Sequence, residues 1–506
     1  MFKPFLAFVI PLLTFQPALP QSGPDMVIIN ARIHTVEDKK VRSGGIAIKD
    51  GRIIAVDRTN KIRDMMVRGT KRIDARERLV IPGFNDSHTH FMAIGNLFTS
   101  INLKNIGRPE EIPERLSRYV KYLPKGRWIL GSNWNSNGWG EGGLPTKHLI
   151  DAATPENPVF VYSSNPEIAL VNSLALKLAG IDRNKKSPLG GEIIHDSEGE
   201  PTGILKGAAI LLVRGRVPRL ASKETLEVGE TATNYAAALG VTSVQDMHSD
   251  YISDVFRTLR RNGKLKTRIY DCTPLYDWRK LAKLGIRRAS GDTFVREGCL
   301  KSFATRDAGT AEALYPEILE ADKHGLQVMV HAIGTSANRS VINTFERVTE
   351  ANGKRDRRFR IEHAARFSDV DLKRFGRTGI IASMQPHLFG GYEPYRSLLK
   401  SNAHIAFGSD ASITDFNPLL GIHDAVNRGR LDEALTVEEA VRLYTLGSAY
   451  AEFQENEKGT IEKGKLADLV ILSENIFAIP KQNIRDTRVI MTIMNGEIVY
   501  DWRQER

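Results

Sequence analysis

Eight short β-rich runs, each ending in or beside a polar residue and followed by a helix-length stretch, constrain this 506-residue chain more than any other feature. They are Ile81 to Ser87, Val241 to Asp246, Thr267 to Cys272, Leu300 to Ala304, Gln327 to His331, Phe359 to His363, Ile380 to Gln385 and Ile405 to Asp410. From the second onward their starts fall 26, 33, 27, 32, 21 and 25 residues apart, the pitch of repeated strand-helix units. Intervening segments such as Thr310 to His324 and Val341 to Gly353 carry helical patterning. Eight such units predict an α/β fold closed as a (β/α)₈ TIM-like barrel of about 250 residues. A doubly wound sheet rarely has eight units, and no GxGxxG follows the first strand.

The chain is far longer than that barrel, and the surplus falls in two places. About 150 residues separate the first two runs, so 107–223 is expected to be an insertion after barrel strand one, holding Trp134, Trp139 and the Gly-rich turn Gly138 to Gly143. Loops at this end of a barrel strand can cover an active site. The chain ends alternate in strand fashion around turns such as Lys49-Asp50-Gly51-Arg52 and Asn495-Gly496. Neither end can bury a core alone, so 24–80 and 456–506 are expected to pair as one small β-sandwich beside a barrel spanning 81–455.

Residues 1–23 have the layout of a secretory signal: Lys3, the apolar run Phe5 to Leu13, then a polar stretch to Gly23. Pro4, Pro11, Pro17 and Pro20 interrupt it too often for a span of roughly 20 apolar residues. The expectation is export to the periplasm or medium, with no stable membrane span after signal removal. At 41% hydrophobic and 26% charged residues the chain is globular, and a net charge of +11 is a mild excess at this length. No dense Lys/Arg run is interleaved with aromatics, which argues against a nucleic-acid partner, and Lys354, Arg355, Arg357 and Arg358 read as a solvated loop. Cys272 and Cys299 are too few for a disulfide framework and form no CxxC pair.

The chemistry is concentrated at the strand ends. In His88-Thr89-His90 alternate residues of an extended segment project to one side, so both imidazoles can face one cation. Lys301 lies in strand four, His331 ends strand five, His363 ends strand six and Asp410 ends strand eight. Each alone has a plain structural explanation, but independent structural residues have no reason to collect at one mouth. Imidazole and carboxylate suit one or two divalent transition ions, Zn²⁺ above all. A buried, neutral Lys301 can add carbon dioxide to give a carbamate that bridges two metals; the alternative is a one-metal site in which the lysine contacts substrate. Such an ion brings water's pKa towards neutrality, and Asp410 can serve as general base and then general acid.

This pattern resembles the amidohydrolase superfamily, whose barrel carries HxH on strand one, a carboxylated lysine on strand four, histidines on strands five and six and an aspartate on strand eight. Gly83-Phe84 through His90, Val171 to Leu176, Gly240 to Asp246, His331 to Gly334, Arg360 to His363, Gly408-Ser409-Asp410 and Gly464 to Leu469 are similar to its YtcJ-like, amidohydrolase 3 branch. The similarity covers about residues 26 to 500. It implies a metal-dependent hydrolase of a non-peptide C–N bond, an amide or cyclic amide, in a small-molecule substrate. The alternatives are an esterase, lactonase or phosphotriesterase on the same site, or a barrel kept only for binding; self-association as a homodimer is left open.

Departures from the branch fall near the substrate. Asn165-Pro166-Glu167 stands where Asp-Gly-His is usual, the segment Thr305-Arg306-Asp307 is shorter, and Thr335 replaces a common aspartate. Trp134, Trp139, Glu167, Gln385 and His387 are the candidate substrate contacts. His248 is a further candidate beyond strand two, whereas His404, at the opposite end of strand eight, is excluded as a ligand.

Overall fold

In a computed structural model the described residues are 23–504, except 39, 105, 122, 136–143, 219–221, 248–252, 305–308 and 390–392. The expected signal and the positions of Trp139 and His248 lie outside them. Among the described residues no helix is long and apolar enough to cross a membrane.

The barrel strands are Phe84–Thr89, Val241–Met247, Arg268–Pro274, Val295–Phe303, Gln327–Ile333, Arg360–Ala365, Ile381–Met384 and His404–Phe407. They form one sheet in that order, each pair parallel. Strands eight and one meet beyond their regular ends, where the Asp410 amide donates to His88 O at 2.7 Å and the His90 amide to Ala411 O at 2.5 Å. The sheet is therefore nearly closed, and its seam runs through three candidate ligands. The outward residues, such as Val244, Leu300, Val330 and Ile361, are fully buried against the surrounding helices, as a two-sided parallel sheet requires.

The first barrel strand starts later than its apolar run. Leu79–Pro82 belongs instead to a sheet built from both chain ends, pairing with Met26–Ile33 on one side and Leu469–Leu472 on the other. Gly83 makes the transfer: a Cβ there would stand 2.1 Å from Thr242 Oγ1, so only glycine lets the chain pass strand two. The two ends thus join in one eight-stranded sheet. On one face Ile28, Ile46, Leu469 and Ile493 share a core, and on the other Val27, Ile29 and Ala47 pack on Ile62 of the helix Thr59–Asp64.

After His90 the helix Phe91–Thr99 leads away from the mouth into a six-stranded sheet running from Ile101–Asn102 to Pro201–Gly207. Separate apolar cores cover its two faces. The helix Ser222–Ala238 returns the chain to strand two.

The structure adds one bond that the sequence did not announce and corrects one reading. Cys272 and Cys299 occupy paired positions on strands three and four and are joined as a disulfide. Their separation of 27 residues is about one strand-helix unit, so the barrel register places them side by side. The basic segment after Lys354 is no solvated loop: Arg357 and Arg358 are buried. Arg357 Nε donates to both oxygens of Asp322 at 3.0 Å, and Arg358 holds Glu455 and lies over the Tyr450 ring. Carboxylates and aromatic faces from other segments remove the need for solvent.

Arg268 and Asp468 tie barrel to terminal sheet. The buried guanidinium donates from Nε and a terminal nitrogen to the two Asp468 oxygens, at 2.6 and 2.8 Å. Burial opposes the Asp468 carboxylate, but Arg268 more than compensates and lowers its pKa. Arg268→Ala leaves that charge buried without its guanidinium partner, and is expected to cost about 3–5 kcal/mol. Calorimetry checks this; an unchanged unfolding profile would show that the pair carries no such load.

Candidate metal centre

The first-strand ligands are placed by a bulge. Asp86 pairs with Val244 and Thr89 with Asp246, three steps on strand one against two on strand two. The extra residue turns His88 inward, while His90 sits just outside the strand as N-cap of the helix Phe91–Thr99. Their ring centroids are 5.8 Å apart. Asp86 secures the same corner by accepting from the His88 amide at 3.0 Å and the Ser409 amide at 3.0 and 3.1 Å. Burial raises the Asp86 carboxyl to about 6 despite these bonds. Strand eight runs so close that a Cβ on Gly408 would come within 2.5 Å of His88 N.

His363 and Asp410 both have left-handed backbones, with φ of 72° and 61°. Such conformations in non-glycine residues cluster where a site demands a particular side-chain direction. At His363 the register on strand five slips, so Glu362 and His363 can both serve the interior. Asp410 Oδ1 lies 3.4 Å from Nε2 of His88 and 3.4 Å from Nε2 of His90. Ligand atoms of His88, His363 and Asp410 all fall within 4.8 Å of one another. His331 joins them through a ring contact of 4.4 Å with His363, and Lys301 lies within electrostatic reach of Asp410 and Glu362.

Hydrogen bonds behind the imidazoles set their tautomers. His88 Nδ1 donates to Glu362 Oε2 at 2.5 Å, and His363 Nδ1 donates to Gln385 Oε1 at 2.7 Å. Each ring therefore presents Nε2 to the centre. The buried His88 Nε2 has no hydrogen-bond partner. Burial, with Lys301 adding to it, lowers His331 to about 4; burial and His88 lower His363 to about 3. Both are neutral at physiological pH, as metal ligation requires. Burial brings Lys301 down to about 8. For Asp410 burial works the other way, but His88 and His90 hold it well below the usual carboxylate range. For His88 burial and Lys301 lower the pKa, yet Glu362 and Asp410 outweigh them. Inward lone pairs, an ionised carboxylate and an orphaned buried nitrogen fit a divalent cation.

All six expected ligands, His88, His90, Lys301, His331, His363 and Asp410, thus share one mouth. Of the candidate substrate contacts, Gln385 is buried behind His363, and His387 Nδ1 donates to Asp424 Oδ2 at 2.6 Å. Trp134 is buried in the insertion's core, its Nε1 donating to Val161 O at 3.1 Å. Glu167 is exposed on a turn of the insertion, where its amide donates to Asn165 Oδ1. Sequence reasoning assigned no site role to Glu362, Arg360 or Asp86, although all three lie in the quoted motifs.

The sequence matches the Amidohydrolase family over residues 71–500. The chain belongs to the amidohydrolase family. It is 32% identical to the protein LONG AFTER FAR-RED 3 of Arabidopsis thaliana, over 96% of this chain and 94% of that one. It is 29% identical to the putative amidohydrolase YtcJ of Bacillus subtilis, covering 93% and 98%. It is 26% identical to the N-substituted formamide deformylase of Arthrobacter pascens, covering 94% and 98%. An uncharacterised metal-dependent hydrolase from Pyrococcus furiosus superposes with a TM-score of 0.75 at 26% identity, over 89% of this chain and 99% of that structure. The YtcJ-like resemblance therefore holds across nearly the whole amidohydrolase chain.

Glu362→Gln keeps the side chain's size but removes the charge that fixes His88. Zinc affinity of this variant, measured by competition with a chelating dye, is expected to fall about 10- to 100-fold. Wild-type affinity would show that Glu362 plays no part in holding the ligand.

Proposed function

We infer that the protein hydrolyses a non-peptide carbon–nitrogen bond, an amide or cyclic amide, in a small molecule. The observation that carries this is one mouth holding four histidines, a lysine and an ionised aspartate, on a chain whose full-length relatives include a formamide deformylase. The donors suit one or two divalent transition ions, with zinc the best match to imidazole and carboxylate. Bound there, such an ion supplies acidified water and a Lewis acid for a carbonyl oxygen.

The chain's own contribution is proton movement and positioning. Asp410, ionised and 3.4 Å from two imidazole nitrogens, is placed to take a proton from the attacking water and return it to the departing nitrogen. Glu362 and Gln385 hold His88 and His363 so that ligand directions survive each turnover. Lys301, with its pKa brought down to about 8, has far more free amine near neutral pH than an ordinary lysine, and that is the form that can add carbon dioxide and release a proton. Export accompanies this reading: the basic start and apolar run of the N-terminus agree with a Cys272–Cys299 disulfide, a bond that persists in oxidising compartments.

Three measurements test the proposal. Zinc-loaded protein should turn over members of a panel of N-formyl, N-acyl and cyclic amides; hydrolysis confined to esters would overturn the C–N reading. Asp410→Asn should lower kcat on the order of 100- to 10,000-fold, and His331→Asn should abolish turnover while unfolding stays cooperative. Zinc reloading of metal-stripped protein should need bicarbonate and improve from pH 6 to pH 8 as Lys301 loses its proton. Reloading indifferent to both would place Lys301 outside the ligand set.

A further inference from the structure

Four aromatic rings follow one another across the mouth. Phe303 stands 5.5 Å from His331, His331 meets His363 nearly perpendicular at 4.4 Å, and His363 meets Phe389 nearly perpendicular at 5.8 Å, all between centroids. The arrangement follows from strand alternation. Cys299, Lys301 and Phe303 share the inward face of strand four, so Phe303 forms the uppermost inward layer. Phe389 lies in the turn after strand seven, four residues beyond Gln385, which orients His363. The two phenyl rings stand at the ends of an arc whose middle is the imidazole pair. Phe303 is 46% exposed and His331 only half-buried, so the arc opens to solvent at its strand-four end.

Neither phenyl ring can ligate an ion, and His363 is already oriented by the Gln385 amide. What the rings provide is apolar surface beside the reacting centre. Lys301 Nζ already lies over the Phe303 ring, 4.3 Å from its centroid; a further charged group reaching the arc would lose its water there, whereas a flat apolar group would gain contact with aromatic surface. Ligand pockets have this composition, aromatic walls around a few placed polar groups.

We propose that Phe303 and Phe389 form a slot over His331 and His363 that takes a planar, uncharged, hydrophobic substituent of the substrate, aryl or cyclic, next to the scissile bond. The assignment rests on the hydrolytic reading above for the word substrate, but the slot is a ligand site in its own right. Phe303 and Phe389 determine specificity and take no part in proton transfer.

Two metal-chelating probes that differ only in their substituent test it on zinc-loaded protein: benzohydroxamate and acetohydroxamate, with affinities from calorimetry. Benzohydroxamate should bind at least tenfold tighter. Phe303→Ala and Phe389→Ala should each cut that ratio threefold or more at unchanged zinc content, and Phe303→Leu, apolar but not flat, should restore part of it. If Phe303→Ala does not hold zinc, Phe303→Leu and Phe389→Ala decide. A wild-type ratio within twofold, or a ratio that survives both alanine variants, overturns the slot. Matched amides carrying a phenyl ring on the acyl or the amine side then show which half of the substrate occupies it. A tenfold ratio without turnover of any amide leaves the slot standing and overturns the C–N reading. Amide turnover with a flat ratio does the reverse.

Discussion

The site depends on a buried charge pair that never touches substrate. Arg360, fully buried inside the barrel, donates from Nε to Glu362 Oε1 at 2.8 Å and from a terminal nitrogen to Ser87 O at 2.6 Å and Ser383 Oγ at 3.0 Å. It also bonds Gln245, so one guanidinium joins strands one, two, six and seven. Taking two charges out of water costs several kcal/mol per ion, and only such complete satisfaction makes it tolerable. Burial opposes ionisation of Glu362, but Arg360 and His88 hold it well below the usual carboxylate range. Glu362 can therefore fix the His88 tautomer, and the direction of His88 Nε2 follows.

From that anchor the geometry is built by local departures from regular structure. An ideal parallel strand sends alternate residues inward, which would give Glu362 or His363 to the interior but not both. The left-handed backbone at His363 and the slipped register beside it remove the conflict. The bulge on strand one does the same for His88. Strain at these points is held by the closure between strands eight and one, where Asp86 and the backbone bonds of His88, His90 and Asp410 lock the seam.

Much of this was legible in the chain. Spacing alone announced eight strand-helix units, and the polar residues in and beside their ends named the six candidate ligands that share one mouth, because a barrel sends consecutive strand ends there. Ile81 looked like barrel because an apolar run does not say which sheet it joins; Gly83 decides, and its meaning depends on Thr242 lying against it. Arg357 and Arg358 looked solvated because Asp322 and Glu455, which neutralise them, are far away in sequence. Trp134 reads from the sequence as a candidate substrate contact, but its neighbours Val161 and Ile204 come from other strands of the insertion and enclose it in a core.

The sequence by itself determined the repeat, the family and the candidate ligand set, because residue type and periodicity are properties of the chain taken in order. Only the tertiary structure decided which nitrogen His88 and His363 present, how Asp410 is kept ionised, that Cys272 meets Cys299, and that Phe303 and Phe389 end one arc. Each of these is a relation between groups tens to hundreds of residues apart. Its energy depends on distance, burial and register, quantities that exist only once the barrel has closed.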